Sequence, residues 1–269
     1  MDCQQQLSQA LQARIRATEE AIGQQFAFEI IERANTTAFL AHRWPRIDQS
    51  LPFHRIFHYC APLAAHNDPW LDRIVNQEID VIIEVLPGSH QAHTADLLRT
   101  YQFQPVWQIP WLALPLEHMT ALPYGDTHIQ QVAPTDLAAF AEILCDGYGY
   151  QGPSRTAWQT FAQHGYQAPG FVCFLAVVDQ QPAAAGVLHL NGNLALVDGA
   201  ATLPHYRGRG LQKALLMARL TYAQQHGATY AFSRTGAGSI SHANLEKLGM
   251  QLLVESTAWR RLYSNVHNH

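Results

Sequence analysis

Charge is scarce in this 269-residue chain: 14% of residues are Asp, Glu, Lys or Arg, and they sum to -4 with histidine neutral. A net charge this small and negative gives no general pull toward nucleic acid or an anionic membrane. The four cysteines, Cys3, Cys60, Cys145 and Cys173, form no CxxC pair and no regular spacing, which excludes a disulfide framework as the source of stability. No stretch supplies the 18 or more consecutive apolar residues of a membrane span. The opening MDCQQQLSQALQARI has no basic segment followed by an apolar one, as an export signal requires. Fifteen histidines are dispersed, with neither HExxH nor a His/Cys cluster, so no metal is expected. These absences together predict a cytoplasmic, soluble protein. Apolar material is plentiful instead: 48% of the chain is hydrophobic, with six tryptophans and eleven phenylalanines, ample for one large domain or two small ones.

Periodicity divides the chain. Leu7, Leu11, Ile15, Ile22, Phe26 and Ile30 recur at helical spacing and predict an amphipathic helix over the first 32 residues, with Gly23 as a bend or break. FHRIFHYC (53–60), DVIIEVLP (80–87) and VWQIPWLAL read as strands, PWLDRIVNQE and HTADLLRTYQFQ as helices. Pro, Gly and Asp cluster at 122–136 and suggest a division into residues 1–122 and 123–269. Beyond it, DLAAFAEILCDG predicts a helix capped by Thr135 or Asp136 and stopping at Gly147. FVCFLAVV, AAGVLHL and NLALVDGAAT, joined by short turns, predict an antiparallel meander. A helix from about Gly210 to His226, the strand ATYAFS, the short helix SHANLEKL closed by Gly249 and the strand MQLLVESTAW complete an α/β order.

The stretch LPHYRGRGLQKALLMARL, 203–220, concentrates chemistry at one point. A strand leads into a glycine-bearing turn and then a helix, whose first N–H groups lack intrahelical partners and whose dipole adds positive character. Gly208 and Gly210 permit unusual backbone angles and close approach of a phosphate, while Arg207 and Arg209 add charged donors. A nucleotide P-loop is a poor fit, because Ala214 stands where Ser or Thr is needed after Lys213. A dinucleotide fingerprint fails as well, since Lys213 replaces its third glycine.

RGRGLQ resembles the acyl-CoA signature of the GCN5-related N-acetyltransferases, (Q/R)xxGx(G/A), with Arg207 first, Gly210 fourth and Gln212 in place of the final Gly or Ala. The resemblance extends to SHANLEKLGM and covers roughly residues 127–260. It implies an acetyltransferase-type fold, a mostly antiparallel mixed sheet flanked by helices, with acetyl-CoA as acyl donor. It implies that backbone groups of Gly208, Arg209, Gly210, Leu211 and Gln212 hold the pyrophosphate beside Arg207. Ala201, Thr202 and Leu203 correspond to the strand along which the pantetheine arm lies, and the N–H of Thr202 or Leu203 to the donor for the thioester oxygen. Asn244 resembles the family's pantetheine-binding asparagine. Leu245 stands where many members carry a proton-donating tyrosine, which leaves Ser241 and Tyr263 as groups that reach the sulfur. The element order of the first half resembles a second, degenerate copy without a coenzyme site, so two tandem copies are expected.

Transfer to an amine needs the amine deprotonated. Asp198, an acid in an otherwise apolar strand, is the first candidate base, sharing a face with Ala200 and Thr202 if the strand alternates regularly. Glu255 is the second. His189, His205 and His242 have ordinary structural readings. Tyr148 and Tyr150 in GYGYQG occupy the loop where acceptors bind in similar proteins. The expectation is transfer of an acetyl group to a primary amine of a small molecule or peptide, by a monomer or homodimer without nucleic-acid or membrane partners. A non-catalytic acyl-CoA-binding module is the alternative.

Overall fold

The computed structural model describes residues 3–26, 28–33, 36–41, 54–57, 61, 67–77, 81–88, 91–119 and 127–261. The first half runs α1 (Cys3–Phe26), β1 (Phe28–Arg33), β2 (Thr36–Ala41), β3 (His54–Phe57), α2 (Pro69–Asn76), β4 (Val81–Val85), α3 (Gln91–Thr100) and β5 (Gln104–Pro115). The second runs β6 (His128–Gln131), α4 (Leu137–Tyr148), α5 (Gly152–Gly165), β7 (Phe171–Val178), β8 (Gln181–Asn191), β9 (Leu194–Thr202), α6 (Leu211–Gln225), β10 (Tyr230–Arg234), α7 (Ile240–Lys247) and β11 (Gln251–Arg260).

The eleven described strands join one sheet in the order β1-β2-β3-β4-β11-β5-β10-β9-β8-β7-β6. The pairing is nearly symmetric about its middle. Outward from β11, β4 is antiparallel, β3 is parallel to β4, and β2 and β1 follow antiparallel. Outward from β5, β10 is antiparallel, β9 is parallel to β10, and β8 and β7 follow antiparallel. Each half thus hands its last strand to the other half's side of the sheet, and β5 and β11 pair along most of their length. The central strands are buried on both faces: all five residues of β4 are buried, the pattern of a strand covered from both sides.

Among the described residues, four apolar clusters clothe this sheet. Leu211, Leu215, Leu216 and Leu220 of α6 pack on Ala184, Leu188, Ala195 and Val197. Phe140, Ala141 and Leu144 of α4 join Phe161 of α5 on Cys173, Leu175, Ala185 and Val187. Leu7 and Leu11 of α1 cover Trp111, Leu194, Leu196 and Phe232, while α2 and α3 cover β4.

Several sequence expectations need correction. The first helix continues through Gly23 but stops at Phe26, and Ile30 belongs to β1. Ile30 and Ile31 are β-branched and gain a ladder with β2. The helix expected to stop at Gly147 runs on to Tyr148 and is closed by Gly149 in the left-handed conformation, φ 76°. Asp136 sits at its N-cap without a side-chain cap bond. Neither β6 nor α5 is signalled by periodicity; α5 opens with Gly152, at φ 51°, and Pro153, which together resemble a loop although proline suits a first helical turn. Tyr263 and the proposed division at 122/123 lie outside the described residues. No described helix is long and apolar enough to cross a membrane. No described group of three or more His, Cys, Asp or Glu is placed to hold a metal ion.

Candidate active site

The meander and β10 build the site by parting. Strand β9 pairs with β10 only from Leu194 to Val197, opposite Tyr230 to Ser233. Beyond that point β9 continues along β8 alone, to Thr202, leaving an edge toward β10 without a ladder. Leu203 donates its N–H to Ala183 O at 2.9 Å, so by antiparallel alternation Ala201 also bonds toward β8 while Ala200 and Thr202 turn their backbone groups toward the gap. Of the two donors expected for a thioester oxygen, Leu203 is therefore spent within the sheet and Thr202 faces the opening.

A register shift opposite Val187 places Asp198 and Gly199 in a bulge. The alternation expected for β9 is broken there. Leu196 packs on the α1 face, and after the bulge Ala201 packs with α4, not on the α6 side. Asp198 therefore shares its face with Leu196 and Ala201 rather than with Ala200 and Thr202.

Arg219 of α6 supports the bulge from the opposite face. Only 2% exposed, it donates from Nη1 to Val187 O at 3.0 Å and Asp198 O at 2.9 Å, and from Nε to Leu215 O at 3.1 Å. Burial lowers its pKa to about 10, so it stays charged at neutral pH. Gly186 makes room for it: a Cβ there would lie 3.1 Å from the guanidinium carbon.

The gap opens into a cavity of about 390 Å³. One wall is aromatic: Tyr148, Tyr150, Trp158 and Tyr166 from α4, α5 and the residues that follow them, with Tyr150 stacked on Trp158 at 5.6 Å. The opposite wall is Gln212 and Leu216 of α6, then Thr235, Ser241 and Leu245. Asp198 lies between them, ion-paired to Arg14 of α1. Burial alone would raise its pKa, but the Arg14 and Arg234 guanidiniums and the Gly199 backbone outweigh it and hold the carboxyl below its usual range. Arg234 is anchored from behind, its Nη1 3.3 Å from Oε2 of Glu84 and its guanidinium 5.4 Å from the Trp111 ring centroid. Glu84, 1% exposed, also accepts from Trp111 Nε1 and Ser256 Oγ, both at 2.5 Å.

Tyr148 is 46% exposed as a residue, through its ring; its hydroxyl reaches the β9 bulge, 3.2 Å from where a Gly199 Cβ would stand. Burial of that hydroxyl, with the charge of Asp198, raises it to about 12, so it is a neutral donor. Cys145 also lines the cavity; burial pushes its thiol up to about 11, which leaves it protonated and a weak nucleophile at neutral pH.

At the far end of the gap, Gly208 and Gly210 both adopt φ 79°. A Cβ on either would meet nothing within 4 Å, so backbone angle, not close packing, demands glycine. Gly210 caps α6 without a side-chain bond, and among the described residues no acceptor receives the N–H of Gly210, Leu211 or Gln212. Arg207 turns inward, donating to Thr202 O at 3.3 Å and Gly147 O at 2.9 Å; it braces the loop against α4. Arg209 lies over Tyr206. Asn244 Nδ2 donates to Gln212 Oε1 at 3.0 Å, joining α7 to the first turn of α6.

The structure thus brings Asp198, Ser241, Tyr148, Tyr150, Gln212 and Ala200 to one cavity, with Thr202 and the glycine turn at its extension. Glu255 stands apart, exposed on β11 and outside the cavity lining. His205 is exposed, His242 accepts from the Gly238 N–H, and His189 is buried against Phe171. The residues missed from sequence are Arg14, Arg219, Arg234 and Glu84. Arg219 had a legible signal, a lone cation in the apolar run LLMARL; Arg14 had none, being an ordinary polar residue of an amphipathic helix.

No curated protein matches this sequence. Among solved structures, a GCN5-related N-acetyltransferase from Kribbella flavida aligns over 94% of this chain and 97% of its own, at 17% identity and TM-score 0.61. One from Sphaerobacter thermophilus aligns over 84% and 76%, at 14% identity and 0.59. A tandem GNAT protein from the clavulanic acid biosynthesis pathway aligns over 88% and 83%, at 13% identity and 0.58. At such identities the likeness concerns fold. The family model described as Acetyltransferase (GNAT) family matches residues 137–250, the segment that contains α4 to α7, the parted strands and the glycine turn, so it is this segment of the chain that is similar to that family.

Proposed function

We propose that the protein is an acetyl-CoA-dependent N-acetyltransferase that moves the acetyl group to a primary amine by direct attack within a ternary complex. The observation that carries this is the continuity of three features: the unladdered edge of β9, the uncapped start of α6, and the cavity beside Asp198. An extended acyl-CoA arm matches all three in turn. Backbone groups at Ala200 and Thr202, with Ala201 and Leu203 shaping the strand, suit an amide-bearing chain, as an added strand would. The N–H groups of Arg209, Gly210, Leu211 and Gln212, next to the turn at Gly208, suit a pyrophosphate. Asn244 fixes Gln212, and Arg207 holds the loop. When bound, acetyl-CoA supplies the activated acetyl group as a thioester.

The chain's own residues orient and deprotonate the amine. Asp198, ionised at neutral pH, draws the amine to the bulge and accepts its proton directly or through water; its depressed pKa favours binding the ammonium over strong basicity. Tyr148 donates from its neutral hydroxyl, and Tyr150 completes the aromatic wall for the acceptor. The new N–C bond forms as the C–S bond breaks, and the sulfur takes a proton from water near Ser241. Leu245 contributes no proton, and sulfur can leave as the thiolate before water protonates it. The protonated Cys145 argues against an acyl-cysteine route. Glu255 has no part in this geometry.

The same reading makes the chain two copies, 1–122 and 123–269, with exchanged last strands, supported by the symmetric strand order. In the first copy α2 occupies the place of α6, between two parallel strands. Its N-terminus is closed by Asp68, which accepts from Trp70 N at 2.9 Å, so an anion meets a carboxylate there. Cytoplasmic residence belongs to this reading, with Cys3, Cys145 and Cys173 in no disulfide.

A second reading, a non-catalytic acyl-CoA-binding module, is favoured by one observation: Arg14 already occupies the candidate base. Calorimetry with acetyl-CoA, followed by thiol release with an amine panel, separates the two. Binding with turnover is expected; binding without turnover supports the module, and no binding at millimolar ligand removes both.

A further inference from the structure

Charged groups of both signs line the cavity. Its lining includes three guanidiniums, Arg14, Arg219 and Arg234, and one carboxylate, Asp198; Glu84 adds a second negative charge behind Arg234. Arg219 is spent on the carbonyls of Leu215, Val187 and Asp198, and Arg234 is held by Glu84, so Arg14 and Asp198 are the charged pair presented to an acceptor. A polyamine or a lysine side chain brings only positive charge, and like charges in a partly desolvated site repel. The thioester end of the acyl donor is uncharged, and its phosphates are directed to the other end of the gap at Gly208–Gln212. An acceptor that also carries a negative charge has a partner in Arg14.

The Arg14–Asp198 pair shows how it is arranged. The two groups come from different elements, α1 and β9, and both line the cavity. A planar guanidinium is matched to a carboxylate, and a carboxylate to an ammonium. A molecule with an amine and a carboxylate a few bonds apart can replace the internal pair by two external ones, with its carboxylate on Arg14 and its amine on Asp198, which is where the proton must leave. The wall opposite α6, Tyr150, Trp158 and Tyr166, presents flat apolar surface to whatever side chain the molecule carries.

We propose that the acceptor is an α-amino acid or closely related amino-carboxylate with an apolar or aromatic side chain, and that Arg14 is its carboxylate-recognising residue. This rests on the acetyltransferase reading above. The reaction balances as amine plus thioester giving amide plus thiol, with one further proton released when the amine enters as ammonium.

The test compares matched acceptors with the full-length protein and acetyl-CoA: phenylalanine against phenethylamine and phenylalaninamide, and leucine against isopentylamine. The amino acids are expected to exceed their decarboxylated partners about 10²-fold in kcat/KM, as for a site whose charged group would otherwise lose its partner. In Arg14→Gln that ratio should collapse toward one, chiefly through a higher KM for the amino acid, and Arg14→Lys should restore part of it. Equal or better use of the decarboxylated amines by the unaltered protein overturns the proposal while leaving the acetyltransferase reading intact. Acetyl-CoA binding without turnover or calorimetric binding of any amino-carboxylate also overturns it. Absence of acetyl-CoA binding removes the underlying reading itself.

Discussion

Gly147 marks a close approach between α4 and β9, and alanine there tests that geometry. A Cβ at this position would lie 2.6 Å from the Ala201 Cβ and 3.2 Å from both Ala201 C and Thr202 N. Ordinary carbon contacts are about 3.5–4.0 Å, so α4 and β9 must separate by roughly 1 Å. Overpacking of this kind costs about 1–3 kcal/mol, whereas alanine in a helix gains roughly 0.5–1 kcal/mol over glycine. The steric term wins, and Gly147→Ala should lose roughly 0.5–2 kcal/mol. For a chain of this size that lowers Tm by several degrees, at about 2–4 °C per kcal/mol. Function should suffer more, because the last turn of α4 carries Tyr148, and a displacement of about 1 Å at a reacting site is worth roughly 10²-fold in rate. Ala201→Gly removes the 2.6 Å contact but not those at 3.2 Å, so the double variant should recover part of the loss, with a coupling near 1 kcal/mol in a double-mutant cycle. Scanning calorimetry of the four proteins provides the test. An unchanged or raised Tm for Gly147→Ala, or strictly additive effects in the cycle, would refute the close approach.

Arg219→Met should leave the carbonyls of Val187 and Asp198 without their donor, at about 1–3 kcal/mol each; a urea-unfolding loss below about 1 kcal/mol would contradict the brace. Gly210→Asp should weaken acetyl-CoA binding at least about 10²-fold by calorimetry, since a carboxylate then faces the pyrophosphate, with near-native circular dichroism because Asp tolerates φ 79° better than most residues. Burial, aided by Arg14, lowers His189 to about 4; the unfolded state then binds more protons between about pH 4 and 6.5. Stability from this group is complete above about pH 6.5 and falls as pH drops toward 4, by up to roughly 3 kcal/mol. His189→Asn should flatten that slope in urea titrations between pH 5 and 7, and an unaltered slope would exonerate the histidine. Asp198→Asn should lower turnover about 10²- to 10⁴-fold with acetyl-CoA affinity nearly unchanged and the deficit shrinking as pH rises; equal rates from pH 6 to 10 would remove Asp198 from the mechanism.

Local rules were enough for much of this protein. The meander β7 to β9, the turn at Gly208 and Gly210, α6 and α7 are written in short-range signals, alternation, turn residues and helical spacing, which act between neighbours in sequence. RGRGLQ marked the glycine turn and the uncapped start of α6 for the same reason: a strand, a glycine turn and a helix start are contiguous. Where long-range packing overrode local preference, the sequence was silent or misleading. Gly147 looked like a helix stop because its reason for being glycine, Ala201, lies 54 residues away. The bulge that turns Asp198 onto the α1 face depends on Arg219 reaching across the sheet, and alternation along β9 alone cannot register it. Arg14 is one polar residue among many in α1 until the fold lays that helix against β9 and pairs it with Asp198. The pairing of β5 with β10 and β11, and of β11 with β4, is decided the same way, by which strand edges meet in the assembled sheet, a property of no single strand.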